Sequence, residues 1–260
     1  MPGKDFICRV LEKRWLSPTT VGLRFEPKKR FHFEAGQFLS VIVPPCKDRM
    51  TAVKRIYSFA SAMASGHYEL CIKVVPGGVA SNYLASLESG DTLCVRAPYG
   101  DFKFKPSERR HVFFIGTGSG IAPLRSISQS PEFLESGISS ATLLFGAFND
   151  KEILYPGCFE SRGIETVYAL SNTGPEWRGY KGNVCQYIRA NAENTKLLDA
   201  DYYICGNPAM VKEMLDLLHK GIGVPREAIH EELFSTATLQ AQVIPIKPAR
   251  EKEEKIAAAA

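Results

Sequence analysis

The stretch Gly116-Thr117-Gly118-Ser119-Gly120-Ile121-Ala122-Pro123 directly follows a predicted strand, Val112 to Ile115, and opens onto a predicted helix. Backbone N–H groups at such a turn, together with the helix dipole, face any anion or nucleotide that binds there. The stretch departs from the dinucleotide fingerprint Gly-x-Gly-x-x-Gly, because Ile121 stands at the third glycine position. In addition, the strand Thr142 to Ala147 does not end in an acidic residue for a ribose. The pattern therefore indicates a nucleotide site or, alternatively, only a tight strand-to-helix turn.

The residues around this turn alternate between continuous apolar strands and helical stretches, which is typical of a parallel sheet covered by helices. The best-marked helix begins at Asn207-Pro208, where the asparagine caps the helix and the proline takes the first helical position, and it runs to Gly221. The predicted strands are His111 to Ile115, Thr142 to Ala147, Glu165 to Leu170 and Asp201 to Cys205. This part of the chain is therefore predicted to be an α/β domain.

The first hundred residues show short strands separated by turn residues, and this spacing favours a small antiparallel β-barrel. Only Val79 to Leu87 looks helical there, because its apolar residues recur on one face and Gly90 follows as a stop. We expect that helix to cap one end of the barrel. The predicted strands are Phe6 to Trp15, Val21 to Phe25, Gln37 to Val43, Ile56 to Ala60, Tyr68 to Val74 and Thr92 to Ala97.

Together these patterns predict a two-domain fold, in which an antiparallel β-barrel domain is followed by an α/β domain with a parallel sheet. The polar stretch from Phe104 to Arg109 separates the two patterns, so we expect domains at residues 1–105 and 106–235. After Phe234 the chain turns polar and ends in four alanines, which predicts a C-terminal tail over residues 236–260.

The composition argues against several classes of protein. The 260 residues are 45% hydrophobic and 23% charged, which is typical of globular proteins rather than disordered or coiled-coil chains. The seven cysteines include no Cys-x-x-Cys pair, so zinc and iron–sulfur sites lack their usual spacing and free thiols suggest a reducing compartment. The N-terminus has no signal-peptide pattern and no apolar run reaches the length of a membrane span. We therefore expect a cytoplasmic protein with no metal.

The net charge of +4 is a mild excess, without the basic runs that bind nucleic acid. Two clusters stand out in the N-terminal half, and they either attract an acidic partner protein or simply keep the surface solvated. They are Lys28-Lys29-Arg30 and the group Lys47, Arg49, Lys54 and Arg55.

Three further motifs point to ligand binding when taken together. Strand alternation in Arg55-Ile56-Tyr57-Ser58 puts Arg55 and Tyr57 on one face, where a cation, a ring and a hydroxyl can hold a phosphate and a flat heterocycle. Gly77-Gly78-Val79-Ala80-Ser81 starts a helix and can hold a diphosphate. Cys205-Gly206-Asn207-Pro208 lies at the strand end where open α/β sheets bind ligands. Taken singly, each motif also fits an ordinary strand, a capped turn or a buried cysteine.

In their order and spacing, the four motifs resemble those of the ferredoxin–NADP reductase superfamily over about residues 6 to 234. The resemblance implies an FAD-binding barrel and an NAD(P)-binding domain. On the flavin side it implies that Arg55 binds an FAD phosphate, Tyr57 packs on the isoalloxazine and Ser58 faces its reactive edge. It further implies flavin contacts from the diphosphate turn, the adjoining strand and a C-terminal aromatic residue, which are Gly78, Val79, Ala80, Ser81, Lys73, Val74 and Phe234.

On the nicotinamide side, the resemblance implies coenzyme binding by the glycine turn and by the motif after the last strand, which are Gly116, Thr117, Gly118, Gly206 and Asn207. Cys205 is expected near the site of hydride transfer, so catalytic roles are expected for Tyr57, Ser58 and Cys205.

The choice between NADP and NAD stays open in the sequence. NADP-specific relatives carry a Ser-Arg pair after the third strand, where this chain has Ser171-Asn172, although Arg178 and Lys181 offer positive charge to a 2′-phosphate. The pattern Ser171-x-x-x-Pro175-x-Trp177-x-Gly179 also looks like the loop of NADH-using oxygenase reductases. We slightly favour NADP and expect Ser171 and Arg178 to bind the coenzyme.

The resemblance implies an enzyme that passes electrons between NAD(P)H and a separate small acidic carrier such as ferredoxin or flavodoxin. Nicotinamides exchange two electrons at once, whereas a flavin can pass them singly. The alternatives are a non-catalytic or NADH-linked electron-transfer subunit of a larger oxygenase or redox complex, and a flavin-free dehydrogenase. The motif Arg55-Ile56-Tyr57-Ser58 argues against the last of these.

Overall fold

The computed structural model describes residues 3–46 and 49–233, so Lys47, Phe234 and the predicted tail lie outside the described residues. The described chain forms an antiparallel six-stranded sheet followed by a parallel six-stranded sheet, which confirms the predicted fold class. The domain boundaries stay a prediction. In the described part of the chain, no helix is long and apolar enough to cross a membrane.

The first sheet is built from β1 (Lys4–Ser17), β2 (Thr20–Pro27), β3 (Phe38–Val43), β4 (Val53–Ser58), β5 (Tyr68–Lys73) and β6 (Thr92–Tyr99), with helix α1 (Val79–Ser86) before β6. The strand order is β4-β3-β6-β1-β2-β5. The two edge strands meet where Phe59, just after β4, pairs with Leu70 of β5. Alternating side chains fill the interior: Cys8 and Val10 are fully buried, whereas Arg9 between them is exposed. Helix α1 packs against β3, β4 and β5.

The second sheet has the order β10-β9-β8-β7-β11-β12. Its strands are β7 (His111–Thr117), β8 (Ser140–Ala147), β9 (Glu165–Leu170), β10 (Tyr180–Lys181), β11 (Ala200–Gly206) and β12 (Ile229–Leu233). The helices are α2 (Ile121–Ser128), α3 (Pro131–Leu134), α4 (Val184–Ala190) and α5 (Pro208–Leu215). Residues of β7 alternate between two apolar cores, since Phe114 belongs to the core that contains α2 and Ile115 to the core that contains α4 and α5.

Several elements differ from the sequence prediction, among them β4, the helix that begins at Asn207-Pro208 and β12. Strand β4 begins at Val53 instead of Ile56, because Val53 pairs with Val43, and it ends at Ser58 because Phe59 and Ala60 pair with β5 instead. The predicted helix up to Gly221 is α-helical only to Leu215 and continues as a π-helix, Asp216–Ile222. Strand β12 was not predicted, and it extends the sheet parallel to β11.

A buried ionic cluster joins the two domains. Its centre is Glu69 of β5, whose side chain is 0% exposed. One carboxylate oxygen accepts hydrogen bonds from Arg14 at 3.2 Å and from the hydroxyl of Tyr155 at 3.0 Å, and the other accepts one from Arg125 at 3.3 Å. The guanidinium of Arg125 lies 4.3 Å from the centre of the Tyr155 ring. Because Arg125 and Tyr155 belong to the second domain, this cluster fixes how the two domains sit together.

The surroundings keep Glu69 ionised. Burial by itself raises the pKa of Glu69, but hydrogen bonding with His67 and the charges of Arg125 and Arg14 outweigh it and lower the pKa to about 2. The ion cluster therefore contributes its full stabilisation at every pH above the ordinary glutamate value of 4.5. Its contribution is lost as the pH falls below the ordinary glutamate value towards 2.

We expect Glu69→Gln to lower the free energy of unfolding by about 3–5 kcal/mol, because it leaves the buried guanidinium of Arg125 without a counter-charge. The control is Glu12→Gln, which removes a partly exposed partner of Arg24 and should cost only about 0–1 kcal/mol. Denaturant unfolding at pH 7 measures both values. Equal losses for the two variants would contradict the role given to Glu69.

Candidate functional site

The glycine turn sits where β7 and β11 end side by side. Gly118 has a φ of +52°, a conformation that favours glycine. A Cβ atom on Gly120 would lie 2.3 Å from the carbonyl oxygen of Cys205, so only glycine allows the turn to approach β11 this closely. Although Ile121 replaces the third glycine of the fingerprint, Gly120 provides the close contact with the neighbouring strand.

A cavity of about 590 Å³ opens beside this turn. The described residues that line it come from the carboxyl ends of β7, β8 and β9, from the starts of α4 and α5, and from β5 of the first domain. The predicted coenzyme residues among them are Thr117, Gly118, Ser171 and Asn207, together with Lys73. The hydroxyl of Thr117 accepts a hydrogen bond from the N–H of Asn207 at 3.2 Å, which ties the two motifs together. We call this space the coenzyme cavity.

Several predicted residues lie beside the coenzyme cavity and do not line it. Gly116 and Gly206 form the adjacent strand ends, and a Cβ on Gly206 would lie 2.3 Å from the hydroxyl of Thr117. Arg178 is exposed and is not among the described lining residues.

The two domains meet again at Ser58, Glu232 and Cys205. Ser58 ends β4 and donates a hydrogen bond of 3.0 Å to the carboxyl group of Glu232 on β12. Glu232 is paired in register with Cys205 on β11, and Cys205 is fully buried. The structure therefore brings two predicted catalytic residues to one carboxyl group.

Burial governs the protonation of this group. It raises the pKa of Glu232 to about 7, against the opposing effect of the Ser58 hydrogen bond. Burial, reinforced by the charge of Glu232, also raises the pKa of the Cys205 thiol well above its ordinary value. Near neutral pH the site therefore holds a neutral thiol beside a carboxyl group that exchanges a proton.

Tyr57 and Arg55 lie near Ser58 on the same strand. Tyr57 packs against the barrel core, and burial raises the pKa of its phenol to about 12 despite the nearby charge of Arg55. Arg55 is exposed and donates a 2.8 Å hydrogen bond to the carbonyl of Lys54. The strand thus presents a neutral phenol and an accessible guanidinium.

The predicted diphosphate turn is held by its own side chains. Ser81 accepts a hydrogen bond from the N–H of Val75 at 3.1 Å, and Gly78 precedes Val79, the first residue of α1, without a side-chain cap. Ala80 and Ser81 are buried. Since α1 packs on β4 and β5, this turn lies close to the strand that contains Arg55.

Lys73 ends β5 and Val74 follows it directly. The N–H of Val74 donates to the carbonyl of Thr19 at 2.8 Å, so only its carbonyl is free for a backbone contact. Lys73 lines the coenzyme cavity, and its ammonium lies 3.2 Å from Oε2 of Glu152, which lines the same cavity. Phe234 lies outside the described residues.

Sequence reasoning missed three polar residues. Glu232 lies in a polar strand that hydrophobic periodicity does not reveal, so the sequence offers no motif for it. Glu152 and Asn149 line the coenzyme cavity, and the Oδ1 atom of Asn149 is buried and has no hydrogen-bond partner. Both belong to the segment after β8, for which no motif was recognised.

Comparison with known proteins places the chain in a family. Residues 7–104 match the model of the oxidoreductase FAD-binding domain, and residues 114–216 match the oxidoreductase NAD-binding domain. A ferredoxin–NADP reductase B of Sorangium cellulosum is 34% identical over 245 residues, which cover 89% of this chain and 98% of that protein.

Relatives from oxygenase systems are also similar. The phenol hydroxylase P5 protein of Acinetobacter pittii is 31% identical, with 90% of this chain and 67% of that protein covered. The solved structure of a ferredoxin reductase in carbazole 1,9a-dioxygenase aligns with a TM-score of 0.79 and 25% identity, covering 90% of this chain and 70% of the other. The chain therefore belongs to the ferredoxin–NADP reductase superfamily, with an FAD-binding domain followed by an NAD-binding domain.

Proposed function

We propose that this protein is an FAD-dependent reductase that passes electrons from NAD(P)H to a separate one-electron carrier. The observation that carries the proposal is the carboxyl group of Glu232, which connects Ser58 of the FAD-binding domain to the strand of Cys205 beside the coenzyme cavity. The flavin, when bound, accepts two electrons from a nicotinamide and releases them one at a time. The chain's own residues bind, orient and shield the two cofactors.

The residues present fit FAD. Arg55 is exposed and accessible to a phosphate, Tyr57 offers a neutral half-buried ring, and the start of α1 has backbone N–H groups for a diphosphate. In the proposed function, Ser58 and Glu232 face the reactive edge of the flavin, and Cys205 packs against the nicotinamide.

The residues also fit a nicotinamide coenzyme. Gly118 lines the cavity without a side chain, where a diphosphate can approach the backbone, and Gly120 and Gly206 let the turn pack closely against the neighbouring strand end. The buried Oδ1 atom of Asn149 is an acceptor that a coenzyme hydroxyl or amide can satisfy. The choice between NADH and NADPH rests on the loop after β9, where Arg178 reaches a 2′-phosphate only if it turns from solvent towards Ser171.

Glu232 is positioned to exchange a proton with water. It lines a second cleft, of about 400 Å³, together with Phe38, Gly100 and His230. A carboxyl group with a pKa near 7 takes up and releases protons readily at neutral pH. Ser58 donates to the carboxyl oxygen, so it keeps Glu232 oriented towards the end of β4.

A basic groove next to this cleft fits an acidic carrier. The groove has a volume of about 1020 Å³ and shares Gly100 with the Glu232 cleft. Its acidic residues Asp5 and Glu34 are paired with Arg96 and Lys103. The remaining cations that line it are exposed and have no acidic partner among the described residues, and they are Lys4, Lys28, Lys29 and Arg30. The groove therefore has an excess of positive charge that attracts and orients an acidic protein.

The second candidate is an NADH-linked or non-catalytic electron-transfer subunit of an oxygenase complex. The similarity to the phenol hydroxylase P5 protein favours it, since the alignment leaves about a third of that relative uncovered. Reduction of the bound flavin by NADH or NADPH, followed by turnover with a free carrier, separates the enzyme from a non-catalytic subunit.

The proposed function predicts that purified protein binds FAD and that NAD(P)H bleaches the flavin absorbance in a stopped-flow instrument. Cys205→Ser should retain FAD but slow this reduction by about tenfold or more, about 1.4 kcal/mol of barrier, because the smaller polar side chain packs less well beside the nicotinamide. Cys94→Ser, on the exposed face of β6, is the matched control. A Cys205→Ser variant that binds FAD less tightly while its bound flavin is reduced at the wild-type rate would contradict this placement, and a protein that never binds FAD would overturn the function.

The raised pKa of Glu232 predicts a particular pH dependence of stability. An acid whose folded pKa lies near 7 stabilises the fold when protonated, and this contribution is lost as the pH rises from the ordinary glutamate range through 7. The free energy of unfolding of the wild type should therefore fall relative to Glu232→Gln between pH 5 and about pH 8. Glu231→Gln serves as the control, since Glu231 pairs with Arg226 instead. Parallel pH profiles of wild type and Glu232→Gln would contradict the shifted pKa.

The basic groove predicts that Lys28→Glu/Lys29→Glu raises the Michaelis constant for an acidic ferredoxin by about tenfold at low salt, with the effect fading as salt screens the charges. The same variant should reduce ferricyanide at the wild-type rate, because a small acceptor does not need the groove. Lys196→Glu reverses an exposed charge on the other domain and should leave the ferredoxin reaction unchanged. A similar loss in both variants would mean that net charge alone matters.

A further inference from the structure

Glu152 forms a contact between the domains inside the coenzyme cavity. It ends a short 3₁₀ turn, Asp150–Glu152, that follows β8. Its Oε2 atom accepts hydrogen bonds from the hydroxyl of Thr19 at 2.7 Å and from that of Ser17 at 3.2 Å, and it lies 3.2 Å from the ammonium of Lys73. Ser17, Thr19 and Lys73 all belong to the FAD-binding domain. One carboxylate oxygen of the NAD-binding domain thus has three donors across the cleft.

Lys73 has two anionic partners to meet, the carboxylate of Glu152 and the diphosphate of a bound coenzyme. Among the described residues that line the coenzyme cavity, it is the only cation, and the acidic residues there are Glu152 and Glu213. Glu213 forms an ion pair with Arg189 at 2.8 Å, whereas Glu152 forms an ion pair with Lys73. A dinucleotide brings a diphosphate with negative charge on both phosphates. The cation best placed to meet that charge is therefore already paired with a carboxylate.

The pair can be broken at low cost. Lys73 is 44% exposed and Glu152 is 20% exposed, and such partly exposed pairs contribute little to stability. If Lys73 leaves, Glu152 keeps the hydroxyl donors of Thr19 and Ser17, so its carboxylate is not left without partners. Although burial opposes ionisation, the hydrogen bonds from Thr19 and Lys73 lower the pKa of Glu152, so it stays a carboxylate at neutral pH.

The same turn carries a second sign of a ligand. Asn149 immediately precedes the turn and lines the cavity, and its Oδ1 atom is buried with no hydrogen-bond partner. Buried acceptors are normally satisfied, so this atom points to a donor on a bound molecule. The segment from Asn149 to Glu152 thus meets the coenzyme with both an acceptor and a competing carboxylate.

We propose that Lys73 exchanges partners when the coenzyme binds: its ammonium moves from Glu152 to the coenzyme diphosphate. Glu152 then stays bound to Ser17 and Thr19. This inference rests on the proposed function. Glu152 thereby competes with the coenzyme, weakens its binding and favours its release after reaction. Linkage requires the reverse as well, since coenzyme binding loosens the Lys73–Glu152 contact between the domains.

The test is a calorimetric titration of NAD⁺ and of NADP⁺ into the FAD-loaded protein. We expect Glu152→Gln to bind the preferred coenzyme about fivefold more tightly than wild type, since Lys73 is released from its competitor. Lys73→Met should bind about tenfold more weakly. In the Lys73→Met background, the gain from Glu152→Gln should fall below about twofold, because competition needs Lys73. Asp150→Asn removes an equal charge from an exposed position of the same turn and should change affinity less than about twofold.

A variant that should weaken coenzyme binding, instead of strengthening it, gives a second test. Ser17→Ala removes one hydroxyl donor from Glu152, so Glu152 holds Lys73 more strongly and coenzyme binding should weaken by about twofold. FAD absorbance and the thermal midpoint establish that each variant is folded.

Several results would overturn the exchange. These are weaker or unchanged binding by Glu152→Gln, an undiminished gain in the Lys73→Met background, and an equal gain in Asp150→Asn. A wild-type protein that binds neither coenzyme would overturn the proposed function itself, so the two failures are distinguishable.

Discussion

The position of one domain against the other depends on the buried carboxylate of Glu69. It is fully buried, so its charge has to be met by protein groups, and those groups come from both domains: Arg14 on one side and Arg125 with Tyr155 on the other. A buried carboxylate with this many donors tolerates little relative movement. The 3.0 Å hydrogen bond between Ser58 and Glu232 spans the same pair of domains and requires that fixed geometry.

Three glutamates lie at the domain interface, and their environments make them different. Glu69 has guanidinium partners and a pKa lowered to about 2, so it is a permanent anion. Glu232 is largely buried and has no cationic partner among the described residues, and its pKa is raised to about 7, so it gains and loses a proton near neutral pH. Glu152 is partly exposed and pairs with Lys73, which lines the coenzyme cavity. The surroundings thus give three glutamates different roles: a permanent anion that connects the domains, a group that exchanges a proton, and an ion partner that can be replaced.

Much of this arrangement could be read from the sequence, since apolar alternation predicts the barrel strands and the glycine turn after β7 marks the edge of the parallel sheet. The rest depends on contacts between distant segments. Strand β12 is polar at His230, Glu231 and Glu232, so hydrophobic periodicity does not reveal it; its pairing with β11 does. Glu152 becomes recognisable only when folding places it beside Thr19 and Lys73, which lie more than 75 residues away. Arg178 shows the converse, because a basic residue in the expected loop lies exposed and outside the cavity lining.

The coenzyme cavity and the basic groove share no described lining residue, and the Ser58–Glu232 contact lies between the domains that carry them. In the proposed function this separation means that a carrier in the groove does not block the coenzyme, so both can be bound in one cycle. The charges agree with this separation. The groove has four cations without an acidic partner among the described residues, whereas the coenzyme cavity has one lysine, which is already paired. In the proposed function, an acidic protein is therefore attracted to the groove, and the dinucleotide is bound mainly by backbone N–H groups and a single exchangeable cation. Because backbone donors carry no net charge, the oxidised coenzyme leaves without pulling apart a strong ion pair.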